Sequence, residues 1–140
     1  SFIRKFTEAS NLKLENVSCW GSGLAYREFL HSDDLGDACC FALENWDPIK
    51  ENAPRKNNGE ILDYLNVGTG IGTSVLELIN TFQKVNKVRI NYIFDERRNG
   101  DKEYVVADNT KAITILGWRN TRNLEEMCKD GWRWQQEKLK

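Results

Sequence analysis

The residues whose types and spacing could do chemistry fall in three short blocks. They are Arg27-Glu28-Phe29-Leu30-His31-Ser32-Asp33-Asp34-Leu35, then Asn66-Val67-Gly68-Thr69-Gly70, then Arg97-Arg98-Asn99-Gly100-Asp101. A guanidinium can hold two phosphate oxygens at once, so the arginines of the first and third blocks suit a phosphorylated ligand. Taken on its neighbours alone, Arg27 reads by default as bridging to Glu28 or Asp34 on the surface. His31 with Asp33 and Asp34 could suggest acid–base work or a metal site. One histidine and two carboxylates at this spacing are a weak signal for either.

The glycines of Gly68-Thr69-Gly70-Ile71-Gly72 follow an expected strand and precede an expected helix, which is where a dinucleotide-binding fingerprint belongs. That fingerprint wants a glycine at its sixth position, where this chain has Thr73. It also wants an acid closing a second strand about 20 residues on, and Asp95, roughly in range, leads straight into Arg97-Arg98. A structural turn whose glycines supply the dihedrals is the better reading. The four cysteines, Cys19, Cys39, Cys40 and Cys128, form no C-x-x-C, and His31 is the only histidine to join them. Cys39 and Cys40 fall in an apolar helical run and are expected to be buried free thiols.

These residues must be positioned by a chain of 140 residues, enough for one modest core, with 40% hydrophobic and 11% aromatic content that argues against disorder. A formal charge of −1 gives no global attraction to nucleic acid or to an anionic membrane. No apolar stretch approaches the ~20 residues needed to span a bilayer, and Ser1-Phe2-Ile3-Arg4-Lys5-Phe6 has no signal-peptide core. A cytoplasmic protein with no nucleic-acid or membrane partner is expected.

The elements alternate. Ile3 to Ser10 reads as a helix, Val17-Ser18-Cys19-Trp20 as a strand ended by Gly21-Ser22-Gly23, and Arg27 to His31 as a second extended piece. Ser32 is expected to cap a helix with Leu35, Ala38, Cys39, Ala42 and Leu43 on its apolar face, stopping near Asn45 to Pro48. Asp47 to Glu60 reads as an exposed loop with a turn at Asn57-Asn58-Gly59. Ile61 to Val67 reads as a buried strand. Ser74 and Glu77 make a capping box for a helix facing inward through Val75, Leu78, Ile79, Phe82 and Val85. Arg89 to Phe94 suggests another strand, Asp108 caps a short helix that Gly117 ends, and Asn123 or Thr121 opens a last helix with Leu124, Met127, Cys128 and Trp132 on one face.

The ordered blocks, followed by Leu116-Gly117-Trp118 and a Trp-rich tail, resemble the C-terminal part of an extended short-chain dehydrogenase/reductase acting on nucleotide-diphosphate sugars. That family includes UDP-glucose 4-epimerase and GDP-L-fucose synthase. Residues up to about Ile79, above all Arg27 to Pro48, look most like GDP-L-fucose synthase, and Arg97 to Gln136 more like UDP-galactose/glucose 4-epimerase. The resemblance implies an α/β fold in which residues 1–140 are a single partial domain, the substrate-binding region, without the N-terminal Rossmann half. It implies that Arg27 and Arg98 contact the diphosphate of a UDP- or GDP-linked sugar and that Asp101 meets the ribose. Lys5 and Trp20 match further substrate-contacting positions, Trp20 offering a flat face to a base. A solvated ion pair for Lys5 and core packing for Trp20 are equally open. Arg97 is expected to be structural, as are Trp118, Trp132 and Trp134 in core or edge packing. The family often has a tyrosine four places after the aspartate, and here that place is Val105, with Tyr104 one early.

The resemblance also implies that NAD or NADP serves the whole enzyme together with a Tyr-x-x-x-Lys pair. Here Tyr26, Tyr64, Tyr92 and Tyr104 are followed four places on by Leu30, Gly68, Glu96 and Asp108, so no such pair occurs. No catalytic, cofactor-binding or metal residue is therefore assigned, and the chain is expected to be inactive by itself. The alternative is a non-catalytic remnant or truncated product acting as a self-associating or interaction module. Surface normally covered by the cofactor half is expected to drive a homo-oligomer.

Overall fold

The computed structural model describes residues 2–52, 55–60 and 64–138, and the fold is α/β. The chain divides into two compact units. The first comprises Ser1–Arg27, Gly72–Val105 and Asn123–Lys140, the second Glu28–Ile71 and Val106–Arg122.

In the first unit, α1 (Phe2–Asn11), α4 (Val75–Asn86) and α5 (Leu124–Lys138) enclose the core. Phe6 lies 5.4 Å from Phe82 between ring centroids, and Phe82 meets the edge of Trp132 at 5.5 Å. Helices α1 and α5 approach closely where residue 131 lacks a side chain, since a Cβ on Gly131 would sit 2.7 Å from Ile3 Cδ1. Paired amide hydrogen bonds between Asn11 and Gln136 continue that contact.

Helix α4 starts where its capping residues require. The Ser74 hydroxyl accepts from the Glu77 amide at 3.1 Å, and Leu78, Ile79 and Phe82 are buried on the face that the spacing predicts. Asn123 caps α5 in the same way: its side chain accepts from the Glu126 amide, while the Glu126 carboxylate accepts from the Asn123 amide. Trp134, by contrast, is about half exposed, with the Lys138 ammonium over its ring.

Two strand pairings in this unit are parallel. β1 (Val17–Trp20) pairs with β4 (Tyr92–Asp95), Trp20 opposite Asp95. β2 (Tyr26–Glu28) lies between β3 (Gly72–Ser74) and β5 (Tyr104–Val105), with Arg27 opposite Val105. Along β1 the pleat sends Val17 and Cys19 inward and leaves Trp20 exposed.

The second unit holds α2 (Ser32–Glu44), α3 (Trp46–Asn52) and a π-helical turn, Ala112–Leu116, around Ala38, Ile49, Ala112, Leu116 and Trp118. Gly117, at φ 71°, ends that turn as expected, although its hydrogen bonds span one residue more than an α-helix would. Asp108 does not cap a regular helix. Its carboxylate accepts from the Thr110 amide and hydroxyl, which pulls it below the usual carboxylate range.

Four further expectations are corrected. His31 rather than Ser32 is the N-cap of α2, because His31 is extended and its Nδ1 accepts from the Asp33 amide at 3.1 Å. Cys39 and Cys40 are exposed, as are Leu35 and Leu43, since Ala38 and Ala42 form the inward face of α2. The polar stretch from Asp47 is not all loop. It begins with α3, where Pro48 falls in the first turn, a place that needs no N–H donor, and Ile49 is buried. Of the strand expected over Ile61 to Val67, residues 61–63 lie outside the described residues, and 64–67 are irregular. Leu65 and Val67 still pack on the core, and the Asn66 side chain donates to the Asp108 carbonyl instead of joining a ladder.

Candidate functional site

All five candidate ligand residues belong to the first unit. Arg27 stands on β2, Trp20 at the end of β1, and Arg98 and Asp101 on the turn that follows β4. Trp20 and Asp95 both end their strands, so Trp20 and the 98–101 turn share the carboxyl edge of a parallel pair, the edge at which open α/β sheets bind ligands.

Two pairs result. Arg27 donates from Nη1 to the Tyr26 carbonyl at 2.7 Å, and its Nη2 faces Asp101 Oδ1 at 3.9 Å. Neither side chain is buried, the relative exposures being 28% and 45%. Arg98 lies with its guanidinium carbon 4.4 Å from the centre of the Trp20 ring, a cation–π stack on a tryptophan 45% exposed. Both arginines therefore keep donors accessible to an anion, and the acid and the aromatic face hold them in place.

Lys5 stands apart. No hydrogen bond or ion pair joins it to the other four. Its charge acts on Cys19, where burial pushes the thiol up and Lys5 partly opposes that effect. Along β1, Cys19 points inward while Trp20 points outward.

The glycine turn of the second unit does not carry the donors a bound phosphate would need. Glu28 fills it: its carboxylate accepts from the Gly70 amide at 2.6 Å, the Thr69 hydroxyl at 3.2 Å and the Ala107 amide at 2.9 Å. Gly70 takes φ 72°, a turn dihedral as expected. Gly68 is needed for room, because a Cβ there would meet Glu28 Oε1 at 2.6 Å. The residues present do not fit a dinucleotide cofactor at this turn.

Asp34 is likewise structural. Buried to 1% exposure, it accepts from the Thr121 amide and hydroxyl and from the Arg122 amide and guanidinium. Burial works against its charge, but these four hydrogen bonds outweigh it and hold the carboxyl below its usual range. Among the described residues, no group of three His, Cys, Asp or Glu could hold a metal ion.

Glu28, Arg122 and the Arg97–Glu103 pair were not legible as site-building residues. Arg122 lies 88 residues from Asp34 and Glu28 lies 42 from Gly70, separations at which no local pattern operates.

Residues 2–131 match the family described as GDP-mannose 4,6 dehydratase. The chain belongs to the extended short-chain dehydrogenases/reductases, as an NAD-dependent epimerase/dehydratase family member. It is 40% identical over 129 residues to a UDP-glucose 4-epimerase of Bacillus subtilis, covering 88% of this chain and 35% of that protein. It is 36% identical over 126 residues to a UDP-glucose 4-epimerase of Drosophila melanogaster, covering 86% and 34%. The chain thus spans about a third of the length of these curated relatives.

Among solved structures, it superposes with a TM-score of 0.81 and 29% identity on a UDP-glucose 4-epimerase from Stenotrophomonas maltophila with bound NAD and formylated UDP-arabinopyranose, over 99% of this chain and 40% of that one. The UDP-glucose 4-epimerase of Thermotoga maritima with UDP-glucose matches with a TM-score of 0.76 and 28% identity, over 100% and 40%. The α/β family member inferred from the residue blocks is thereby established. No helix among the described residues is long and apolar enough to cross a membrane.

Proposed function

We propose that this chain is the nucleotide-diphosphate-sugar binding region of a sugar-nucleotide epimerase. Arg27 and Arg98 take the diphosphate, Asp101 takes the ribose hydroxyls, and Trp20 forms the wall beside them. The observation that carries this reading is the meeting of Arg27 with Asp101 and of Arg98 with Trp20, both through the turn that follows β4. A uridine nucleotide is favoured over a guanosine one by the relatives, named as UDP-glucose 4-epimerases. Lys5 is the weakest member of the set, since no hydrogen bond or ion pair joins it to the other four and its charge acts on the Cys19 thiol.

Residues 1–140 act in this reading as one substrate-binding region and carry out no turnover by themselves. None of the four tyrosines has a lysine four places on, and the Gly68–Gly72 turn is filled by Glu28. The hydride chemistry of the family, carried by NAD or NADP, belongs to residues other than these.

The test is a calorimetric titration of the purified chain with UDP-glucose and, separately, GDP-mannose. Saturable binding of the uridine sugar supports the reading, preference for the guanosine sugar moves the assignment to the fucose-synthase side, and no heat with either overturns it for the chain alone.

A second reading, a self-associating module, is favoured by exposed apolar residues on the strands of the first unit: Trp20, Tyr26, Ile93, Phe94, Tyr104 and Val105. Parallel strands are normally covered on both faces. A monodisperse monomer at micromolar concentration in sedimentation would remove this reading.

A further inference from the structure

Arg97 was expected to be structural, and its surroundings give it a more definite task. Arg98 and Asp101 are the ends of a four-residue turn closed by the Asp101 amide, which donates to the Arg98 carbonyl at 3.3 Å. Gly100 supplies φ 85°, the left-handed conformation such a turn requires at its third place. One hydrogen bond of that length is a loose closure. Arg97 adds the second tie: its Nη2 donates to the Asp101 carbonyl at 2.5 Å, and its Nη1 meets the Glu103 carboxylate at 3.0 Å.

Glu103 in turn gives its backbone carbonyl to the Tyr26 amide at 2.7 Å, one residue before Arg27. A single planar guanidinium thus spans the turn carrying Asp101 and the residue that ties β2 to it. The Arg97–Glu103 ion pair is exposed and contributes little to stability by itself. Its value is geometric, because a planar fork donates in two fixed directions and an ammonium does not.

We propose that Arg97 is a positioning residue for nucleotide binding, holding the Asp101 carbonyl so that the Asp101 carboxylate stays opposite Arg27 and available to the ribose. This rests on the reading of Asp101 given above. Arg98 keeps its own anchor on Trp20, so loss of Arg97 is expected to displace the acid and spare the diphosphate contacts.

The experiment compares wild type, R97A, R97K, D101A and the R97A/D101A double variant by two measurements. Titration with UDP reads ribose and diphosphate together, and titration with inorganic pyrophosphate reads the arginines alone. R97A is expected to weaken UDP about fivefold, to leave pyrophosphate unchanged, and to add nothing in the D101A background, with R97K intermediate. Amide hydrogen exchange in the free protein is expected to show the Asp101 N–H exchanging several times faster in R97A. Full additivity of R97A with D101A, or equal weakening of pyrophosphate, overturns the proposal. If wild type binds neither ligand, the site reading fails, and the exchange measurement alone decides the clasp: an Asp101 amide unchanged in R97A overturns it.

Discussion

Arg122 sets its Nη1 2.8 Å from Asp34 Oδ1 and donates its own backbone amide to Oδ2 of the same carboxylate at 3.1 Å. One residue thereby satisfies both oxygens of a buried acid at the start of α2, and Asp33 and Asp37 flank the same guanidinium at 3.4 and 3.3 Å. The second unit is stitched across its two sequence segments by this contact.

The charge on Asp34 is consequently a source of stability with a defined pH dependence. Its carboxyl is held below the unfolded value of about 3.9, so the contribution is fully present above that value and is lost as pH falls through the folded pKa. Asp34→Asn is expected to lower unfolding free energy at pH 7 by on the order of 3 kcal/mol, and by much less at pH 2. Urea melts at the two pH values check this, and equal losses at both would contradict it.

Arg27→Ala removes the cation that faces the Asp101 carboxylate. Binding of a nucleotide diphosphate sugar is expected to weaken by about 1.5–3 kcal/mol, the range for a hydrogen bond to a charged group. Unfolding midpoints should move little, because Arg27 is partly exposed and its other tie among the described residues is to the Tyr26 carbonyl. Unchanged affinity in the calorimeter would remove Arg27 from the site.

Two glycines answer oppositely to the same change. Gly36 lies in α2 with nothing within 4 Å of an added Cβ, so Gly36→Ala is expected to stabilise by about 0.5–1 kcal/mol. At Gly68 the same methyl displaces the Glu28 carboxylate from three donors, and a loss of about 1–3 kcal/mol is expected. Thermal midpoints of the two variants should lie on either side of wild type.

The thiols should divide two and two. Cys39 and Cys40 are exposed, whereas Cys19 and Cys128 are buried, and burial, with the Glu125 charge adding to it, pushes the Cys128 thiol up to about 11. A thiol reagent at pH 8 is expected to label two cysteines quickly and the other two only on unfolding. Four fast labels in the native protein, counted by mass spectrometry, would show that the buried pair is accessible.

Legibility followed the range of the interaction. The caps at Ser74 and Asn123, the strand Val17–Trp20 and the turn at Gly117 depend on neighbours within a few residues, and each stands where its residues point. Helix α2 was mistaken in facing because Leu35, Cys39 and Leu43 repeat as well as Ala38 and Ala42, and periodicity alone does not say which stripe turns inward. The five candidate ligand residues came from resemblance to a family, since spacing could not reveal that Arg27 and Asp101, 74 positions apart, would face each other. Arg97 had no signal of its own beside Arg98.

Glu28 has a consequence for how glycine-rich loops are recognised. The amide of Gly70 already embraces a negative charge, and that charge is covalently part of the same polypeptide. A loop in this state is self-liganded: its spacing imitates a phosphate cradle while its vacancy has been filled from within. The identity of one acid, more than the count of glycines, is the feature that marks this turn as structural.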